Sequence, residues 1–387
     1  SVWAGIHDFS RDVIKAVVPH ARVGYEGSDT EVGSFHAVDY WKLAQAMDLN
    51  NIYYRDFLTA CWKDFVTPET LLGAGWFGGY ASNRNEPFMR WFPWRALFKG
   101  SNSFWVWAGY GHPGAVMAYD VSLYPFFQKA CEEIGEIKAG VGKLLMGSKR
   151  QHDGVALLWS AASVHVGTAT PGFPDMDSTL QGLVSLLHDV GLETRVLSYQ
   201  ELAQGKLTNQ EFKVLLLPGA QALSDAEVAA VRRFADNGGT VIADLRPGVT
   251  NEHGKPRGQG ALDDLFGVSL AAPYKRLEGD LTLEGSPLTA GAGFVAKGLV
   301  SDAGAVVRGG QAGGKLSDTP VLISHRVGKG QAVLLNFSLR GYLSLPRKGG
   351  TDFAGWEEGR GYRAFLAGLL QAQGVTPRVT VAPDAPR

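Results

Sequence analysis

Short apolar segments alternate with amphipathic segments along the first 110 residues. Residues 10–18, SRDVIKAVV, have the apolar spacing of a helix with Ser10 as its N-cap, and the apolar segment RVGYEG follows Pro19. The other predicted elements are helices at 37–48, 86–100 and 121–146 and strands at 50–57, 70–80 and 102–110. Regular alternation of strands and helices indicates a parallel sheet, so we predict an α/β fold here.

The pattern changes little after residue 150, where a second series of strands and helices begins. A strand at 155–161 precedes a long loop, and a helix at 178–190 has its leucines on one face. Strands follow at 213–219 and 240–245, and Ser224 with Glu227 forms a capping box that opens the helix between them. This order predicts an open, doubly wound α/β sheet.

The remainder is rich in glycine and in short apolar segments. GKG at 328–330 lies between LISHRV and QAVLLNF and predicts a hairpin turn. A last helix is predicted at 357–373, and the sequence after it has the composition of a linker.

Composition narrows the class of protein. The chain has 387 residues, of which 45% are hydrophobic and 19% are charged. This length exceeds the number of residues that one hydrophobic core usually holds. We therefore predict two domains. The formal net charge of −1 gives no broad basic surface, so nucleic acid is not an expected partner. No apolar run approaches the length of a membrane span, and we expect no membrane partner.

No segment predicts a cofactor or a metal ion. GAGWFG at 73–78 matches a dinucleotide fingerprint in spelling, but a loop follows where a helix is required. GGQAGGKL at 309–316 has Leu316 where a phosphate-binding loop needs Ser or Thr. The two cysteines, Cys61 and Cys131, are far apart, and the histidines lack metal-ligand spacing.

The strand and helix order of the second half resembles that of class I glutamine amidotransferases. Their chemistry needs a cysteine nucleophile on a sharp turn between a strand and a helix. Cys61 and Cys131 both lie before this half, so we expect the fold without the chemistry.

Glu26 is the first candidate functional residue, because VGYEGSD places it between two glycines at the end of a predicted strand. Parallel α/β folds place their sites at the carboxyl ends of strands. A carboxylate at such a position can act as a general acid, a general base or a nucleophile, and Glu26 is a candidate for one of these roles. The alternatives are an acid on a surface loop or one paired with Arg22 or Arg55.

Further candidate residues lie at or just beyond the ends of predicted strands, as Glu26 does. Glu86 is a second acid, either in the cleft or in the first turn of a helix, and Asp56 could bind hydroxyl groups or pair with Arg55. Eight of the ten tryptophans lie in residues 1–107, which fits either a binding cleft or core packing. The aromatic candidates for lining such a cleft are Tyr54, Trp76, Trp105, Trp107 and Tyr110.

Several stretches resemble glycoside hydrolase family 42, the β-galactosidase-like enzymes. They are ARVGYEGSD, DYWKLAQAMDLNNIYY, FWVWAGY and, most specifically, FKVLLLPGAQALSDAEVAAVRRFADNGGTVIAD. The resemblance implies that residues 1–148 are the C-terminal half of a (β/α)8 TIM barrel. It implies an amidotransferase-like β-galactosidase trimerisation domain at 149–376 and a linker at 377–387.

The resemblance also implies a carbohydrate substrate, a homotrimer and a position for each catalytic carboxylate. The general acid would lie on the fourth barrel strand, before residue 1, and the chain would be an internal part of a longer protein. The nucleophile would fall near Gly75 or Trp76, and neither is acidic. Two hypotheses follow: part of a glycoside hydrolase acting on β-galactosides or related glycosides, or a non-catalytic carbohydrate-binding or oligomerisation protein on a degenerate barrel.

Overall fold

The chain forms two compact units. The structure, a computed structural model, describes residues 2–26, 38–53, 56–67, 69–77, 84–112, 114–270, 273–345 and 358–380. Of these residues, unit 1 contains those up to 150 and unit 2 contains those from 151 onward.

Unit 1 alternates helices with four short strands. Its helices are α1 Val2–Val17, α2 Tyr40–Ala46, α3 Asp56–Phe65, α4 Glu86–Phe98, α5 Pro125–Glu136 and α6 Gly142–Met146. Its strands are β1 Gly24–Glu26, β2 Leu49–Tyr53, β3 Leu71–Phe77 and β4 Ser103–Val106. Asp56 begins α3 and therefore does not lie on the strand to which the sequence pattern assigned it.

The four strands form one parallel sheet in chain order, β1-β2-β3-β4. One face of this sheet packs against α4 and α5. The residues of this packing include Ala74, Met89, Phe92, Ala96, Phe104, Val106, Phe127 and Ala130. Side chains alternate between faces along a strand, so the neighbours of Ala74 and Phe104 belong to the opposite face.

Unit 2 contains a larger sheet with helices and additional β ribbons. Its helices are α7 Ala161–Ala169, α8 Met176–Asp189, α9 Tyr199–Ala203, α10 Asp225–Asp236, α11 Asp263–Phe266 and α12 Arg360–Gln371. Its strands are β5 Val155–Trp159, β6 Arg195–Ser198, β7 Val214–Leu217, β8 Thr240–Ala243, β9 Val268–Leu270, β10 Arg276–Leu283, β11 Phe294–Asp302, β12 Ala305–Val307, β13 Gln311–Leu316, β14 Thr319–Val327 and β15 Gly330–Leu335.

The main sheet of unit 2 has seven strands in the order β13-β14-β15-β8-β7-β5-β6. The part from β15 to β6 is parallel, and β13, β14 and β15 pair antiparallel. β7 and β8 are buried along their whole length, as expected for strands covered on both faces. The chain is therefore an α/β protein with a parallel sheet in unit 1 and a mixed sheet in unit 2.

Two local predictions for unit 2 are confirmed. Ser224 and Glu227 form a reciprocal capping box at the start of α10. β14 and β15 form a hairpin in which Val327 pairs with Gly330, and Gly328 has φ +52°, a value that favours glycine.

The prediction of a long loop after the strand at 155–161, GTATPGFPDMD at 167–177, is wrong for its first three residues, which belong to α7. α7 begins at Ala161, and the Ser160 side chain caps it by accepting a hydrogen bond from the backbone N–H of Ser163. The segment AASVHVGTA consists of small or apolar residues except for His165, so it lacks the one-sided pattern by which an amphipathic helix is recognised.

Candidate functional site

Glu26, at the carboxyl end of β1, begins a row of residues that crosses the unit 1 sheet and meets β4 at its first residue. Glu26 ends β1 and pairs with Asn51, Asn51 pairs with Gly73, and Gly73 pairs with Ser103. Because the strands are parallel, these four positions form one row across the sheet. Glu26 thus lies in the same row as Asn51 on the neighbouring strand.

The Trp105 side chain of β4 lies over Gly73 of the adjacent strand β3. A Cβ atom placed on Gly73 would be 2.6 Å from Cδ1 of Trp105, 2.7 Å from its Nε1 and 2.8 Å from Oδ1 of Asn51. The two side chains therefore occupy the space in front of Gly73, on the face opposite to the one that packs on α4 and α5. The indole is 39% exposed, so part of it is open to solvent.

Asn51 is a polar residue of this row that sequence reasoning missed. It is only 1% exposed, and its amide Nδ2 and Oδ1 have no hydrogen-bond partner within the described part of the chain. An unpaired buried amide costs about 1–3 kcal/mol, so it requires a polar partner from elsewhere. The signal in the sequence was the pair Asn50-Asn51 within a strand, since asparagine is depleted in strands.

The segment after β4 exposes further aromatic rings. Trp107 and Tyr110 are both exposed, and the Trp107 ring contacts His112 edge to face at 5.4 Å between centroids. The backbone N–H of Gly114 donates to Nδ1 of His112 at 2.8 Å. The Tyr110 hydroxyl donates to the backbone oxygen of Tyr119 at 3.4 Å. Exposed aromatic faces at a strand end can stack on the C–H-rich face of a sugar.

Glu86 lies in the first turn of α4, which Asn85 caps. Its carboxylate accepts a hydrogen bond from Nε of Arg90 at 2.9 Å, and its side chain is 55% exposed. Arg90 also binds Glu133, and the Trp94 indole N–H donates to Glu133 at 2.8 Å. The hydrogen bonds from Trp94 and then Arg90 lower the pKa of Glu133. Glu86 is thus part of a charged network between α4 and α5.

The other candidates are described only in part. For Glu26, Asp56 and Trp76 the description covers the backbone alone, and Tyr54 lies outside the described residues. Glu26 and Trp76 are strand residues, and Asp56 is the first residue of α3. Trp105, Trp107 and Tyr110 follow one another along β4 and its continuation. The roles of all these residues remain predictions.

Two further properties concern ligands and membranes. Within the described ranges, no group of three or more His, Cys, Asp or Glu residues is arranged to bind a metal ion. None of the described helices combines the length and the apolar character that crossing a membrane requires.

The occupied space in front of Gly73 leads to a testable prediction. We expect Gly73→Ala to displace the Trp105 indole or the Asn51 amide and to lower the free energy of unfolding by about 1–3 kcal/mol, as overpacked cores do. Gly135→Ala is the matched control, because nothing lies within 4 Å of a Cβ at that helical position. Urea denaturation measures both, and equal stability of the two variants would contradict the described packing.

Solved structures with a similar fold include β-galactosidases and a mannosidase. The structure of a β-galactosidase from Bacillus circulans sp. alkalophilus matches with a TM-score of 0.76 and 16% identity, over 98% of this chain and 57% of that one. Gan42B, a GH42 β-galactosidase from G. stearothermophilus, matches with a TM-score of 0.69 and 17% identity, over 95% and 55%. The exo-β-1,4-mannosidase Op5Man5 from Opitutaceae bacterium strain TAV5 matches with a TM-score of 0.62 and 13% identity, over 96% and 69%.

The chain therefore has the fold of glycoside hydrolase family 42-like proteins. Residues 184–375 match the sequence model of the β-galactosidase trimerisation domain. The family model and the structural neighbours together confirm the resemblance stated from the sequence. No curated protein matches the chain. The chain spans somewhat more than half of the length of the first two β-galactosidases.

Proposed function

We propose that this chain is part of a glycoside hydrolase that acts on β-galactosides or related glycosides. The observation that carries the proposal is the agreement of two independent comparisons. The trimerisation domain model matches residues 184–375 of unit 2, and β-galactosidase structures match 95–98% of the chain. The 16–17% identity of these structures supports the fold, and the sugar is inferred from the family resemblance.

In this proposal unit 1 is the last four strands of a (β/α)8 barrel and unit 2 is the trimerisation domain. Four parallel strands in chain order, packed on helices at one face, are the arrangement that a barrel segment requires. The exposed apolar residues of α1, which include Val2, Ile6, Phe9 and Val13, fit a helix that packs against further barrel elements. The chain aligns with only 57% and 55% of the two β-galactosidase chains, as expected if it contains half of their barrel.

The proposed mechanism uses two carboxyl groups at the barrel mouth. Glu26, at the end of β1, is our candidate for one of them, and the general acid would lie on a strand outside this sequence. Glu86 is the second candidate within the chain, although Arg90 already binds its carboxylate. Trp105, Trp107 and Tyr110 would stack on the sugar, and Asp56 or Asn51 would bind its hydroxyl groups.

Hydrolysis of a panel of aryl glycosides by the full-length protein that contains this chain tests the proposal. We expect release of the aryl group from a β-galactoside above the rates for α-linked and unrelated sugars. Binding of sugars in calorimetry without any turnover would contradict it and would favour a carbohydrate-binding protein on a degenerate barrel.

The match to the trimerisation domain predicts the assembly state. We expect light scattering on the full-length protein that contains this chain to give a particle with three times the mass of one full-length chain. The measurement needs a dilution series, because a trimer of this kind dissociates by mass action. A particle with the mass of a single full-length chain at every concentration would contradict the proposed trimer.

A further inference from the structure

A short hairpin after β4 carries the most exposed aromatic side chain among the described residues. The hairpin spans residues 116–124, and Met117 pairs with Leu123 in an antiparallel bridge. Val116 at its base is 2% exposed and packs in the core that the sheet forms with α4 and α5, together with Met117 and Leu123. The base of the hairpin is therefore anchored in the core of unit 1.

Hydrogen bonds hold the tip of this hairpin. The backbone N–H and the hydroxyl of Ser122 both donate to Oδ1 of Asp120, at 3.0 and 2.5 Å. The Tyr110 hydroxyl donates to the backbone oxygen of Tyr119. Val121 has φ +66°, a value that a β-branched residue rarely adopts unless its surroundings impose it. The side chains of the tip thus project from an ordered backbone, which lowers the entropic cost of binding a ligand.

Two tyrosine rings at this tip are open to solvent. Tyr119 is 88% exposed and Tyr110 is 54% exposed. The two rings meet edge to face, with centroids 6.1 Å apart and an angle of 87° between their planes. Adjacent exposed rings on an ordered backbone indicate an interaction site. We call Tyr110, Tyr119 and Asp120 the tyrosine platform.

The tyrosine platform is continuous with the candidate functional site. Tyr110 follows Trp107 by three residues, so their Cα atoms are at most about 11 Å apart. The backbone N–H of Val116 donates to the oxygen of Ala108 at 2.9 Å and holds the base of the hairpin against the segment that follows β4. A ligand at Trp107 can therefore extend onto the platform.

The polar groups of the platform favour a carbohydrate over a protein surface. Hydrogen bonds from the hydroxyl and the backbone N–H of Ser122 lower the pKa of the exposed Asp120, so its carboxylate is ionised at neutral pH and accepts hydrogen bonds. A sugar presents hydroxyl donors beside a C–H-rich ring face, which match a carboxylate beside an aromatic ring. The centres of protein interfaces are depleted in charged residues, so a carboxylate beside the two rings disfavours a protein partner.

We propose that the tyrosine platform binds the additional sugar units of an oligosaccharide, so that the substrate is a β-linked chain of several units. Tyr119 stacks on the C–H face of one unit, and Asp120 accepts a hydrogen bond from a hydroxyl group of that unit. The choice of a galacto-oligosaccharide rests on the proposed function.

Calorimetric titration of the full-length protein with galactose and with a β-1,4-linked galactotetraose tests the proposal. Sulfur in place of the linkage oxygens of the tetraose resists hydrolysis, so binding is measured without turnover. We expect the tetraose to bind about tenfold or more tightly than galactose, and Tyr119→Ala to remove most of this difference. Tyr119→Phe should retain it, because the ring remains. Phe98→Ala is the matched control: Phe98 is a 58% exposed ring at the end of α4, and both affinities should equal those of the wild type.

The possible outcomes separate this inference from the proposed function. Because Tyr119 is largely exposed, Tyr119→Ala should unfold at the same temperature as the wild type. Equal affinity of the wild type for the tetraose and for galactose would overturn this inference alone, and binding of neither sugar would overturn it together with the proposed function. An unchanged tetraose affinity in Tyr119→Ala would also overturn it, and a smaller particle of that variant in light scattering would then assign the platform to a protein interface.

Discussion

Asp302→Ala is expected to lower the free energy of unfolding by about 3–5 kcal/mol, the usual cost of removing one partner of a buried ion pair. Asp302 accepts a hydrogen bond from Nη1 of Arg246 at 2.7 Å, and the two side chains are 0% and 4% exposed. It also accepts from the backbone N–H groups of Lys275 at 3.1 Å and Gly304 at 2.9 Å. The variant would remove the carboxylate that these three donors share.

The matched control is an exposed ion pair of the same residue types. Asp264 binds Arg232 at 2.6 Å, but the side chain of Asp264 is 62% exposed. Solvent screens such a pair, so Asp264→Ala should cost only about 0–1 kcal/mol. Urea denaturation of both variants measures the difference, and a loss below about 1 kcal/mol for Asp302→Ala would show that the interior pair contributes little.

Asp244→Asn is expected to stabilise unit 2 above pH 7, by an amount on the order of a few kcal/mol. Asp244 follows β8, accepts a hydrogen bond from the backbone N–H of Gly219, and lines a cavity of about 30 Å³ with aliphatic walls. Burial raises the pKa of this carboxyl from 3.8 to about 7. The carboxylate is thus costly in the folded state, and an asparagine amide can accept the same hydrogen bond without charge.

The sign of the pH dependence follows from the raised pKa. Below pH 3.8 the group is protonated in the folded and the unfolded state. As the pH rises from 3.8 to about 7, the unfolded chain ionises first, and stability falls by about 1.4 kcal/mol per pH unit. The wild type should therefore lose stability over this range relative to Asp244→Asn, and the two should agree near pH 4.

Equilibrium unfolding at pH 4, 6 and 8 measures this effect. Asp318→Asn, at an exposed position between β13 and β14, is the control for the loss of one acidic group. A constant stability difference between wild type and Asp244→Asn at all three pH values would show that the Asp244 carboxyl does not titrate as described.

The sequence predicted those parts of the fold that depend on local periodicity. The leucine pattern of α8, the capping box at Ser224 and the hairpin at Gly328 are each contained in a short segment. α7 was missed because its residues are small or apolar except for His165. The Arg246–Asp302 pair was missed because it joins residues that are 56 positions apart in the sequence.

The candidate site was predictable only in outline. The rule that sites lie at strand ends selected Glu26 and the aromatic residues near the end of β4. The position of Trp105 and Asn51 over Gly73 depends on strand register, which a single sequence does not specify. The family resemblance supplied the class of substrate, which no spacing in the sequence contained.

The central claim is that the carboxyl ends of the unit 1 strands provide a catalytic carboxylate for glycoside hydrolysis. Initial rates of aryl β-galactoside hydrolysis by the full-length protein and its Glu26→Gln variant test it most directly, with Glu86→Gln measured beside them. We expect Glu26→Gln to reduce kcat by about 100-fold or more and Glu86→Gln to have the smaller effect, because Arg90 binds the Glu86 carboxylate. Equal rates for all three proteins would contradict the claim.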